Sequence, residues 1–479
     1  MSPLLIVVII IAILLLLLLA ALLIKALTSK SADENAGGLA HDHSKGEENC
    51  PACQAAAKAV KVKVPLACNV HFRPKADWKG EFGFDWLRIG DAGEVKYKDI
   101  IAGGYKGVDA AGKAQVYNKT DAYVELKKAY QPMTTVIKSP PDNLAEYFVP
   151  YLNLYSKDVV LKPAPLTEVE LRVLVGVEKS EPDKIEFEFD PNFFSLDKKT
   201  LADKAVAAKH EASDKTIKIT CLKEFDTDQK IEAWAYPKGW KTKSDATLAG
   251  QLIVGKNNAA ARKELKIVFI KVKTRINKTV NVGSLQAGEK DHIINSLHQA
   301  LIHAVVDDGP EPVLDLTKDE RFMIVTKAGK KQYGRYIYKK VNVADTNIDG
   351  GLYEDYEDAA KKKEMFIYAR AAFIKKNKKY ETYFTVLMFD EPTYDPVTYG
   401  QVEDFGVHNV GLFKATRPTG VLSHEGLHGL GLYHTHETSG QKDAKFFFDF
   451  KKTDNIMSYN FAAMNTTWAW QWQIIRDKL

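Results

Sequence analysis

The sequence predicts a multidomain chain: an N-terminal transmembrane helix, β-rich modules of sandwich type, and a C-terminal α+β domain that carries the chemistry. Three observations predict it. An unbroken apolar run opens the chain, short strand signals recur through its middle, and a histidine-rich helical signature stands near its end. A length of 479 residues leaves room for about three domains. Lys and Arg number 67 against 62 Asp and Glu, a net charge of +5. That balance offers no basic footprint, so nucleic acid is not expected as a partner.

Leu4 to Ile24 is apolar throughout, about 21 residues and long enough to cross a bilayer as a helix. A signal peptide would have a shorter apolar region and a basic start, whereas Ser2 and Pro3 stand here. Residues 1–25 are therefore expected to form a single-pass anchor, with the membrane as a partner. Lys25 and Lys30 follow the run and favour a cytoplasmic C-terminal side. The last domain, in contrast, is expected to act outside the cytoplasm of the producing cell, and the topology stays open. Residues 26–68 are rich in Ser, Ala, Lys, Glu and Gly without apolar periodicity and read as a linker. The linker holds Cys50-Pro-Ala-Cys53 behind His41 and His43. A metal knuckle, a redox pair and a plain tether all fit that CxxC.

Residues 69–160 are aromatic and turn-rich. Gly83–Gly90 and Tyr147–Leu152 are strand-like runs between Gly, Pro, Asp and Asn breakers, the mark of a β-rich module. Over 161–274 the strand signals sharpen at Glu168–Val177, Lys184–Phe189, Thr216–Cys221, Lys230–Tyr236, Gln251–Val254 and Glu264–Val272. Lys184-Ile-Glu-Phe-Glu-Phe189 alternates fully, giving one buried and one wet face. The spacing predicts an immunoglobulin-like sandwich, with Cys221 a buried strand residue.

Residues 275–479 form the expected catalytic domain. Leu285–Val306 reads as a helix, with His292, His298 and His303 as ordinary helix histidines because their offsets do not share a face. Strands are expected at Arg321–Thr326, Gly334–Val343, Tyr383–Phe389 and Gly406–Ala415, with a helix near Glu354–Lys375 between them. A last helix, Thr467–Leu479, carries Trp468, Trp470 and Trp472 as core or cover.

The chemistry centres on His424-Glu425-x-x-His428-x-x-Gly431-x-x-His434. On a helix His424 and His428 lie one turn apart on one face, so both imidazoles can reach one ion. Glu425 beside them can take a proton from a water activated there. Gly431 can enter a left-handed conformation, end the helix and return the chain so that His434 becomes the third ligand. Chance meets all these offsets on the order of 10⁻⁵ times per chain. Zinc is the expected cofactor, its fourth position open to water.

Downstream stands Asp454-Asn455-Ile456-Met457-Ser458-Tyr459. The two motifs together resemble the metzincin metallopeptidases, whose long zinc motif is followed by a Met-turn. That resemblance implies a two-subdomain peptidase fold with Met457 supporting the site from below without ligating. Astacin-like and serralysin-like members carry a Tyr two residues after that Met, a fifth ligand that swings away to stabilise the transition state, and Tyr459 holds the matching place. The residue after the third histidine, often Glu or Asp in the family, is Thr435 here, so no subfamily is assigned. His436 is an alternative ligand.

Asp345-x-Asn347-x-Asp349-Gly350 matches the first half of a calcium loop, but position twelve is Tyr356 rather than Glu. Calcium and a solvated acidic turn are the two readings. The expected function is a zinc-dependent metalloendopeptidase acting on polypeptide, either resident or a delivered bacterial toxin with an immunity or inhibitor protein as partner. The alternative is a membrane-anchored adhesion or binding protein whose protease domain is inactive or secondary.

Overall fold

Two β-sheets face each other across one apolar core. They belong to a computed structural model that describes residues 68–479 apart from 134–137, 140–142, 145–146, 178–180, 202–214, 277–278, 308, 320–322, 326–330, 334–363, 394–397, 415 and 437–443. The first sheet runs in the order Cys68–Pro74, Glu168–Val177, Thr216–Cys221, Phe194–Leu196 and is antiparallel throughout. The second runs Thr200–Leu201, Lys184–Glu188, Gln229–Tyr236, Thr247–Val254, Tyr151–Asn153, Gly83–Asp85. Alternation builds the core. Ile185 and Phe187 turn inward between Lys184, Glu186 and Glu188, and Val169, Leu171 and Val173 meet them from the facing sheet.

The predicted immunoglobulin-like module over 161–274 is corrected by this topology. The sandwich takes Cys68–Pro74, Gly83–Asp85 and Tyr151–Asn153 from the preceding segment, and Phe72 and Phe84 are wholly buried in its core. Without them that core would be open to water. Cys68 and Cys221 are free and buried in the first sheet, and burial pushes both thiols up to about 12.

Other parts of the 69–160 segment pack elsewhere. Ile101–Val108 pairs with Ala114–Tyr117 and with Phe447–Phe448 near the C-terminus. Tyr97, Ile101 and Leu126 share a core with Phe446, Phe448 and Trp468. Asp85 and Arg88 reinforce this junction. Arg88 reaches the Asp85 carboxylate at 3.2 Å and Asp454 at 3.2 Å, and Asp85 accepts from the Ala469 N–H at 2.9 Å.

A seven-stranded mixed sheet carries the site. Its longest strand is β1, Lys263–Ile276, followed in the chain by β2, Thr279–Val282; β3, Ile302–Val306; β4, Val313–Asp315; β5, Phe384–Met388; β6, Gly400–Val402; and β7, Asn409–Leu412. β1 pairs parallel with β3, β4 and β5 and antiparallel with β2. β7 joins β5 in parallel, and β6 closes that side as an antiparallel edge. Helices α1, Glu289–His298, and α3, Val421–Gly429, cover one face, and α2, Glu364–Lys376, covers the other. Both faces being covered explains the unbroken apolar stretch Ile267–Ile270 in β1. Leu265, Ile267 and Phe269 face α1 and α3, while Val268, Ile270 and Val272 face α2.

A buried fork ties α1 to the approach of α3. Arg417 Nε and Nη2 donate to Glu289 Oε1 at 2.7 Å and Oε2 at 2.6 Å, with both side chains fully buried. The helix expected over Leu285–Val306 is shorter than its periodicity suggested. It ends at His298, Leu301 turns at φ 57°, and the β-branched stretch that follows, with His303, is strand β3. β1, assigned by pattern to the sandwich, belongs to this sheet because its partners lie at 302–306, 313–315 and 384–388. The final helix, α4, spans Ala469–Arg476.

The expected transmembrane helix, and with it the membrane localisation, is corrected. Among the described residues no helix is long and apolar enough to cross a membrane. The longest, α2, has 13 residues, about 20 Å against the roughly 30 Å a bilayer requires. The run Leu4–Ile24 lies outside the described residues, as do Cys50, Cys53 and the calcium-loop residues Asp345, Asn347 and Asp349.

Candidate metal centre

Helix α3 buries Leu422 and Leu427 against the sheet and turns His424 and Glu425 toward a cleft beside the edge strand β6. Its last turn closes at Gly429 with Leu430 as cap. Gly431 then takes φ 86°, a left-handed value that a Cβ would oppose. The chain reverses there and brings His434 back. Thr435 holds the returning segment from both sides: its N–H donates to Met457 O at 3.0 Å, and its carbonyl accepts from the Phe448 N–H at 2.8 Å.

The three imidazoles converge. Nε2 of His424 lies 3.1 Å from Nε2 of His434 and 3.1 Å from that of His428, and the His428–His434 pair is 3.0 Å apart. The other ring nitrogens face backbone oxygens: His424 Nδ1 to Ile456 O at 2.9 Å, and His428 Nδ1 to Leu432 O at 2.6 Å. A carbonyl only accepts, so these Nδ1 atoms carry the protons and their Nε2 lone pairs point inward. Burial holds His424 down to about 4 and His428 well below its ordinary value, so both are neutral at pH 7.

The Nε2 lone pairs of His424 and His428 face each other at 3.1 Å and repel unless a cation lies between them. Tetrahedral ligands at about 2.0–2.1 Å from an ion sit roughly 3.3 Å apart, close to the spacing here. The donor set therefore fits a metal: His424, His428 and His434 form a group able to hold an ion. His436 is not in that group. It is buried, stacks on His434 at 5.1 Å, and neither ring nitrogen has a hydrogen-bond partner.

Glu425 extends from the same helix into the cleft. The N–H of Val402 on β6 donates to its Oε2 at 3.1 Å. Withdrawal from water pushes the carboxyl up to about 8, and the Val402 bond acts the other way. A nearby dication would also draw it down. Gly400 makes this approach feasible: a Cβ there would stand 2.7 Å from Glu425 Cγ and 2.8 Å from Val421 Cγ1.

Met457 is fully buried in the core beneath the histidines. Tyr459 follows at φ 58°, its ring 4.8 Å from His424 and 4.7 Å from His434. Burial raises its phenol above the ordinary range, so it keeps its proton at neutral pH. The histidines of α1 and β3 are not part of that group, although His292 Nδ1 lies 2.5 Å from Oγ of Ser423, next to His424. His298 and His303 stack at 6.2 Å, and His292 bonds Met464 O at 2.8 Å.

The site thus gathers His424, Glu425, His428, His434, Met457 and Tyr459. Sequence reasoning missed Gly400, Val402 and the carbonyls of Leu432 and Ile456. Backbone acceptors leave no residue-type signal, and Gly400 reads as a turn glycine until its neighbour across the cleft is known.

The fold and site define a β-rich protein with a three-histidine group able to hold a metal ion beside a mixed sheet. No protein-family model matches the chain, and no curated protein matches it.

Proposed function

We propose that the protein is a zinc-dependent metalloendopeptidase, in keeping with the metzincin resemblance of its motifs. The observation that carries this reading is the convergence of three Nε2 atoms, those of His424 and His428 neutral, with the Glu425 carboxyl beside them at a cleft. Three histidines leave one coordination position free, the pattern of a catalytic rather than a structural zinc. Zinc bound there supplies a Lewis acid for a carbonyl and lowers the pKa of water.

The protein's own groups do the rest. Glu425 takes the proton of the attacking water and returns it to the leaving amine. The Tyr459 hydroxyl, protonated at neutral pH, donates to the oxyanion as it forms. The outer edge of β6 offers backbone groups to an extended polypeptide, which would add as a further strand. Val402, now bonded to Glu425, stands where such a chain would arrive.

The test compares the full chain with its Glu425→Gln variant on an unfolded protein, with zinc content measured on both. The variant should keep its zinc and lose at least about 10²-fold in hydrolysis. Equal inertness of both with zinc in place would sink the reading.

A further inference from the structure

The described residues include three exposed phenylalanines, Phe405 at 36%, Phe450 at 54% and Phe461 at 44%. All three surround the histidine site. Phe405 meets His428 edge-on at 5.0 Å and Tyr433 at 4.8 Å. Phe450 packs on His436 at 4.9 Å, and Phe461 lies 6.1 Å from Tyr459. Apolar rings held in water at one place mark a surface that another molecule covers.

Two of them shape the cleft itself. Phe450 and Phe461, with Tyr399, Lys451 and Tyr459, line a space of about 360 Å³ above His424 and Glu425. That volume accepts a large side chain together with its backbone. Lys451 is held at φ 60°, a conformation that non-glycine residues seldom adopt, with its ammonium 4.9 Å from the Phe450 ring. Among the described lining residues Glu425 at the floor is the acid and Lys451 at the rim is the base. The rim therefore favours negative charge.

Resting on the peptidase reading, we infer that the cleft selects polypeptide segments with an aromatic or large aliphatic side chain beside the cut bond and a carboxylate set against Lys451. Phe450 and Phe461 clasp the apolar side chain, where ring–ring packing adds to burial. Lys451 sets the neighbouring preference by charge.

The experiment digests a synthetic peptide library with the zinc-loaded full chain and reads cut sites by mass spectrometry, for wild type, Phe450→Ala, Phe461→Ala and Lys451→Glu. A second readout is anisotropy of a labelled Phe-containing decapeptide and its Ala counterpart on the Glu425→Gln protein. Wild type should enrich Phe, Tyr, Trp, Leu or Met at one position flanking the cut. Each Phe→Ala change should lower that enrichment and the decapeptide affinity about tenfold, and Lys451→Glu should reverse the acidic preference to a basic one. Both phenylalanines are exposed, so melting temperatures should stay close to wild type. Cutting without apolar enrichment, or enrichment untouched by the Phe variants, overturns the inference and leaves the peptidase reading standing. Selective binding without cutting supports the cleft's selectivity and removes the peptidase reading. Neither cutting nor binding overturns both.

Discussion

The backbone N–H of Val402 donates to Glu425 Oε2 over 3.1 Å, from the side of β6 that has no neighbouring strand. The carboxylate and the sheet edge are thus fixed relative to each other. Two residues earlier, Gly400 lets the strand lie against α3 with no room for a methyl group.

Gly400→Ala should therefore separate edge from base. A Cβ at 2.7 Å from Glu425 Cγ forces either the strand or the side chain to shift. Such overpacking costs about 1–3 kcal/mol. We expect a melting point a few degrees lower and kcat/KM down about tenfold or more, since small displacements of a positioned group are expensive. Zinc stoichiometry, measured by elemental analysis, should be unchanged.

Removing a ligand should act differently from removing its neighbour. His428→Ala takes away one of three converging nitrogens and should drop bound metal well below one equivalent. His436→Phe removes a ring whose nitrogens bond nothing and should leave metal content intact. Loss of metal in the His436 variant would make it the third ligand in place of His434.

Tyr459→Phe keeps the ring against His424 and His434 and deletes the hydroxyl. Loss of one oxyanion donor typically costs on the order of 10²-fold in kcat. KM and metal content should barely move. An unchanged kcat would show that the hydroxyl does not meet the transition state.

His298 sets a pH dependence unrelated to the metal. It is buried against Tyr155 and His303, and burial lowers its pKa from 6.5 to about 4, with the nearby His303 acting in the same direction. The folded state thus binds fewer protons than the unfolded one between these values. Its contribution is complete above pH 6.5 and is lost as pH falls toward 4. A shift of this size corresponds to about 3 kcal/mol. In metal-free protein, denaturant titrations at pH 7 and pH 4.5 should differ less for His298→Leu than for wild type, by up to about that amount.

Much of the local structure was legible from residue order. Strands Glu168–Val177 and Thr216–Cys221 run over the residues their patterns marked, because alternation and β-branching are properties of neighbouring residues. The same locality explains the reach of the histidine motif. An offset of four on one helix face, and a glycine able to turn left-handed, are fixed within a dozen residues.

Sheet membership was not local. The pattern of β1 is that of any buried strand, and only its pairing with 302–306 and 384–388 takes it out of the sandwich. His303 looked helical until Leu301 turned the chain and β1 offered a parallel partner. The segment around Ile101 joined Phe447–Phe448, more than 300 residues away, because both carry apolar faces that need covering.

Residue types and spacing alone determined which side chains could meet a metal: His424, His428 and His434, with Glu425 beside them. Only the tertiary structure decided what surrounds them. The Ile456 and Leu432 carbonyls set the tautomers of His424 and His428, the Val402 amide holds Glu425, and the exposed Phe450 and Phe461 line the cleft. Such partners come from distant backbone and from surface that stays uncovered, and composition records neither.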